Sequence, residues 1–160
     1  MDARRMLPLR PLLRGLATAA AVAALWAWPV AAPHPIAKPY LAPATPYASG
    51  HRGLDVSAAA GATIRAPDDG VVHFTGFVVD RPVLSIDHGD GVISSYEPVA
   101  TELVAGDTVR RGEAIGVLEA GHCASACLHL GVRVDGEYVS PLLFLGGQPR
   151  AVLLPLADGP

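Results

Sequence analysis

An all-β domain is the fold class this sequence predicts, on three observations. Turn-forming clusters recur about every 8–12 residues, and the runs between them are short. Glycine and proline are abundant, 17 and 15 of 160 residues, which disfavours long helices and coiled coils. The clearest run, Leu128 to Val134, alternates apolar and polar residues with the period of a strand. Overall composition points elsewhere at first, with 51% hydrophobic and only 17% charged residues. That bias is concentrated in residues 1–32, which hold 22 apolar side chains and both tryptophans. The remaining 128 residues carry 8 basic and 14 acidic groups, a net charge of −6, which argues against a nucleic-acid partner.

Taken in order, residues 1–32 read as a targeting segment. Arg4, Arg5, Arg10 and Arg14 form a basic start, and no charge follows from Gly15 to Ala32. The run closes on Val30-Ala31-Ala32, a small-residue pattern suited to signal peptidase. A signal peptide cleaved after Ala32 is therefore expected, with a retained anchor as the alternative; either places the domain in the cell envelope or outside the cell. Residues 33–46 contain five prolines and no hydrophobic period, so an extended linker is expected. The body should run from 47 to 146, followed by a tail at 147–160.

Within the body, Val71–Thr75 follows the Asp68-Asp69-Gly70 turn, and Pro82–Ile86 runs into Asp87-His88-Gly89-Asp90-Gly91. Strands are also expected at Val92–Tyr96, Thr108-Val109 and Ala114–Leu118. Leu128–Val134 meets Tyr138-Val139 across Asp135-Gly136, a two-residue hairpin turn. Ser140-Pro141 resembles a cap and first-turn proline, opening a helical turn at Leu142–Leu145.

The 128–134 strand assigns faces. Leu128, Leu130, Val132 and Val134 form its core side, while Cys127, His129, Gly131 and Arg133 face the other way. His51-Arg52-Gly53-Leu54-Asp55 sets an imidazole and a carboxylate four residues apart, with Gly53 allowing the backbone to curve between them. Two histidines and an aspartate give zinc three ligands and leave a position for water, the arrangement of a catalytic site. Cys123 and Cys127 are the only cysteines, and in an exported chain they are expected to be bridged; the alternative is Cys127 as a thiolate ligand.

Five ordered segments carry a family resemblance: His51–Asp55, Ala66-Pro67-Asp68-Asp69-Gly70-Val71-Val72, Ile86–Gly91, Val109–Gly116 and Leu128–Arg133. Together they resemble the lysostaphin/LytM-type zinc endopeptidases over residues 47–146. The resemblance implies a compact antiparallel β fold with a groove and one Zn²⁺ at its floor, held by His51, Asp55 and His129. It further implies peptidoglycan peptide stems or cross-bridges as substrate; a monomer is expected.

Two positions depart from the family pattern. The family carries His-x-His on the last ligand strand, where this chain has Cys127 before His129, and Tyr-x-His or Tyr-His earlier, where it reads Tyr96-Glu97-Pro98. Glu97 is the candidate base and Arg133 the candidate donor to a developing oxyanion; the bland alternatives are a solvated strand-end Glu97 and an Arg133 paired with it or with Asp135. His122 is the one further histidine near enough in sequence to replace a groove histidine. Two functions stay open: a zinc endopeptidase with altered assisting residues, and a catalytically silent zinc-binding module that binds the wall or regulates another cell-wall hydrolase. A metal-free carbohydrate-binding module would leave His51, Asp55 and His129 unexplained.

Overall fold

The computed structural model describes residues 25–45 and 47–146. The expected leader up to residue 24 and the tail at 147–160 lie outside the described residues. Eleven strands and one helical turn follow in order: β1 (Ile36–Lys38), β2 (Leu54–Ser57), β3 (Thr63–Arg65), β4 (Gly70–Val78), β5 (Arg81–Asp87), β6 (Val92–Glu97), β7 (Val99–Ala100), β8 (Thr108–Val109), β9 (Ala114–Leu118), β10 (Cys127–Val134), β11 (Glu137–Val139) and α1 (Leu142–Leu145). The large sheet runs β1-β2-β10-β6-β5-β4-β8 with β11 on β10, and a small sheet runs β3-β9-β7; every pairing is antiparallel.

Strand alternation decides what the large sheet buries. Leu128, Leu130 and Val132 of β10 join Leu54, Val56, Leu84, Ile86 and Tyr96 in one core, together with Ile64, Val99, Ile115 and Leu118 of the small sheet. The opposite face of the large sheet is left free, and its floor is lined with small residues. Gly131, Ser95 and Ser85 stand side by side across β10, β6 and β5. The Asp135-Gly136 hairpin forms as read, with φ of 50° and 88°, the positive pair that a tight two-residue turn needs. At α1, Ser140 gives no side-chain cap; Pro141 occupies the cap position, and the turn ends at Gly146 in the left-handed region.

Among the described residues, 33–45 run along the body and are docked on it. β1 pairs with β2, and Leu41 exchanges both backbone hydrogen bonds with His51. Further upstream, Trp26 and Val30 belong to the core. The Trp26 and Ala27 amides donate to the Phe144 and Pro67 carbonyls, and the Arg65 amide donates to Pro29. The two aromatic residues of the uncharged run are thus packing groups, Trp26 in the core and Trp28 against it. Among the described residues no helix is long and apolar enough to cross a membrane.

Candidate metal centre and its groove

The site is a row across three neighbouring strands. On β10, His129 lies opposite Asp55 of β2 on one side and Glu97 of β6 on the other. Side chains paired in this way stand about 5 Å apart at Cβ, so strand register alone gathers three chemically active groups. His51 joins them from the chain just before β2, held by its backbone exchange with Leu41.

The ligand atoms converge. Asp55 Oδ1 lies 2.7 Å from His129 Nδ1 and 3.0 Å from His51 Nε2, and the two ring nitrogens are 3.2 Å apart. Four ligands tetrahedrally disposed at the usual zinc distances of 2.0–2.1 Å have neighbouring atoms about 3.3 Å apart. The partner of the far ring nitrogen agrees with a metal site. His51 Nδ1 is 2.7 Å from the Pro39 carbonyl, which only accepts, so Nδ1 carries a proton and Nε2 is the nitrogen turned toward Asp55. A carbonyl partner on the far nitrogen is the usual support of a metal-bound histidine. The donor set therefore fits zinc.

Gly53 acts through space rather than through backbone freedom. A Cβ there would lie 2.3 Å from His129 Nε2 and 2.6 Å from the Leu130 carbonyl oxygen, so only glycine lets the His129 ring occupy its position. Electrostatics hold the set in its ligating forms. Burial pushes the Asp55 carboxyl up, but the His129 hydrogen bond and the fields of His129, His51 and His122 together hold it below its ordinary value. Burial pushes the His129 imidazole down and outweighs the carboxylate beside it, favouring the neutral ring that ligates.

A third histidine completes the cluster. His122 projects from the loop between β9 and β10, and its Nε2 lies 3.2 Å from Asp55 Oδ1. The ligand atoms of His51, Asp55, His122 and His129 all lie within 4.8 Å of one another. The His122 Nδ1 atom accepts from Arg81 Nη1 at 2.8 Å and sits 3.7 Å from Glu97 Oε1. Cys123, the next residue, is bridged to Cys127, so Cys127 is a crosslink of this loop and not a thiolate ligand.

The groove beside the cluster has a volume of about 550 Å³ and is lined by His51, His129, Glu97, Arg133, Phe74 and Tyr138, among others. Arg133 lines the same groove as Glu97 and His129. It lies four residues from His129, about 13 Å along the strand at 3.3 Å per residue. Its guanidinium sits 5.8 Å over the Tyr138 ring, and its Nε is buried with no hydrogen-bond partner. The contributions of Arg81 and the Pro39 carbonyl have no signature in sequence. His122 could be singled out only by its position near the ligand strand.

Residues 49–141 match the model of peptidase family M23. The chain belongs to this family. Uncharacterized protein Rv2891 of Mycobacterium tuberculosis is 35% identical over 144 residues, covering 86% of this chain; the chain spans 58% of that relative's length. The DD-carboxypeptidase/endopeptidase Mpg of Neisseria meningitidis is 33% identical over 94 residues, 58% of this chain and 22% of its own. Among solved structures, the catalytic domain of lysostaphin from Staphylococcus simulans superposes with a TM-score of 0.62 at 19% identity, over 71% of this chain and 93% of that one. A zinc-containing peptidase from Vibrio cholerae gives 0.61 at 23%, over 74% and 40%. At those identities the two structures establish the fold, that of the lysostaphin/LytM-type domains. Residues 25–41, which dock the start of the body and supply the Pro39 carbonyl, precede the stretch that the M23 model matches.

Proposed function

We propose that this M23 domain is a zinc endopeptidase acting outside the cytoplasm on the peptide stems or cross-bridges of peptidoglycan. One observation carries the reading: His51 Nε2, Asp55 Oδ1 and His129 Nδ1 converge within 2.7–3.2 Å at the edge of an open groove. His51, Asp55 and His129 would hold the ion, which supplies an acidified water and polarises the scissile carbonyl. Glu97, next to His129 in the cross-strand row, is the base that takes the water's proton and returns it to the leaving amine. The floor of Gly131, Ser95 and Ser85 admits an extended peptide backbone. Arg133, about 13 Å from His129, is too far to reach the reacting carbonyl and instead meets a carboxylate further along the substrate.

A second reading rests on a specific observation. Both positions where the family carries assisting histidines hold other residues, and one of them, Cys127, is consumed in a crosslink. A zinc-binding module that recognises the wall or regulates another wall hydrolase retains the ligands without needing either histidine. Zinc analysis of the purified protein, followed by incubation with cross-linked peptidoglycan and detection of new amino termini, separates the two. One zinc per chain with cleavage, lost in Glu97→Gln, is the expected result. Zinc binding and sacculus binding without new amino termini would establish the silent module.

A further inference from the structure

His122 is where the structure says something that family membership does not. Four candidate ligands surround one point, and a fourth protein ligand would close the site to water and substrate. Whether His122 ligates depends on which of its nitrogens carries the proton, and the partner on Nδ1 decides that. Two groups compete for Nδ1. Glu97 would accept a proton from it, freeing the Nε2 lone pair for a metal, but at 3.7 Å it is outside hydrogen-bond range. Arg81 is at 2.8 Å and can only donate, so Nδ1 must accept and the neutral ring carries its proton on Nε2.

The guanidinium is itself fixed. Its Nε and Nη2 reach the two oxygens of Asp80 at 2.8 and 3.3 Å, which aims Nη1 at His122. Asp80 and Arg81 follow Val79, a fully exposed valine at the β4–β5 turn with φ of 61°, a conformation unfavourable for a β-branched residue. On the other side, the bridge between Cys123 and Cys127 ties the His122 loop to the first residue of the ligand strand.

We propose that His122, held by Arg81 with its proton on Nε2, is the hydrogen-bond donor of this site and not a fourth metal ligand. The proposal rests on the peptidase reading for its catalytic meaning. In that setting the Nε2–H, which donates to Asp55 Oδ1 at 3.2 Å, is shared with the substrate carbonyl oxygen and stabilises the negative charge that develops there, a task Glu97 cannot perform. His122 thereby supplies, from a different loop, a donor that the two replaced family histidines cannot. Arg81 is a positioning residue, acting through the tautomer of His122.

Long-range proton–nitrogen NMR spectra of the histidine rings test the assignment on the full chain, metal-free and zinc-loaded. The His122 proton is expected on Nε2 in both. Arg81→Leu should move it toward Nδ1, and Arg81→Lys, again a pure donor, should restore it. A zinc-loaded protein with His122 protonated on Nδ1 and Nε2 bound to metal overturns the proposal. Zinc titration gives a second readout: His122→Ala should weaken binding by less than about 100-fold, the limit for groups that only support a ligand, and a larger loss marks a ligand. With peptidoglycan as substrate, His122→Ala should lower kcat about 100-fold or more with KM little changed, and His122→Gln, which keeps an N–H donor, should recover part of it. Unchanged kcat in His122→Ala overturns the catalytic role. If the unmutated protein cleaves nothing, the peptidase reading fails, while the ring spectra and zinc titration still decide what His122 is.

Discussion

Around His88 every polar atom has a neutral protein partner, whereas around Asp55 three imidazole nitrogens crowd one carboxylate oxygen. At His88, Nδ1 donates to the Asp69 carbonyl at 2.7 Å, the Ser94 hydroxyl donates to Nε2 at 2.7 Å, and Tyr96 donates to Ser94 at 2.7 Å. Trp26 closes the set, its ring 4.6 Å from that of His88. Nothing is left for a ligand to satisfy. At Asp55 the same device, a fixed partner on one ring nitrogen, points the other nitrogen at a shared centre. The Pro39 carbonyl turns His51 Nε2 toward Asp55, and the Arg81 guanidinium makes His122 present a proton. Burial is similar in the two regions. What separates the two regions is whether the second nitrogen ends on a neutral hydroxyl of its own or on one carboxylate oxygen shared by three rings.

The largest effect expected from breaking this contrast lies at the packed end. Trp26→Ala should cost about 3–5 kcal/mol in denaturant or thermal unfolding, the range for removing a buried large aromatic side chain, and leave zinc affinity unchanged. Comparable destabilisation accompanied by loss of zinc would mean that the two regions are not independent. The same residue tests processing. Both tryptophans of the chain, Trp26 and Trp28, precede Ala32, so a product cut after Ala32 has no tryptophan emission. An exported product that retains the packed core keeps that emission, and its amino terminus, read by sequencing, lies before Leu25.

Gly53→Ala should act at the other end. The added methyl meets both the His129 ring and the Leu130 carbonyl, so about 1–3 kcal/mol of stability is expected to be lost to overpacking. If His129 holds the ion as proposed, zinc affinity should fall at least 10–100-fold, because the displaced ring would be a ligand and not merely its support. Zinc titration that matches the unmutated protein would show that the ring has another place to go, and the convergence described here would lose its steric basis.

These contrasts also explain what could be read in advance. The candidate ligands are legible because register and spacing are local properties: His51 and Asp55 are four residues apart, and β10 alternates cleanly enough to assign the face of His129. The core face follows from the same period, and the hairpin from its two-residue turn. Short strands β3 and β7, three and two residues long, carry too few alternations to register as strands. The docking of residues 25–41 is not legible in sequence, because proline-rich and alanine-rich stretches look alike whether packed or not. Only long-range partners such as Phe144 and Pro67 distinguish the cases. Tautomers were beyond reach for the same reason, since Pro39, Arg81 and Glu97 meet the histidines only after folding.

The smallest effect concerns pH, and it sharpens the account of His88. Burial pushes the His88 imidazole below its ordinary value, and the Asp69 carbonyl with the nearby Asp68 and Asp87 only partly offsets this. The folded state thus binds its proton less readily than the unfolded chain, whose histidine titrates near 6.5. Stability from the neutral ring is therefore full above about pH 6.5 and declines as pH falls from there toward the lowered folded value. Protonation at Nε2 would also oblige Ser94 to accept from His88, turning the Ser94 hydroxyl back on the buried Tyr96. Denaturant unfolding of zinc-free protein across that window should show the decline, and His88→Gln should flatten it while lowering stability at neutral pH. A decline of the same size in His88→Gln would assign the proton uptake elsewhere, and His129, whose imidazole burial also lowers, would then be the group to replace next.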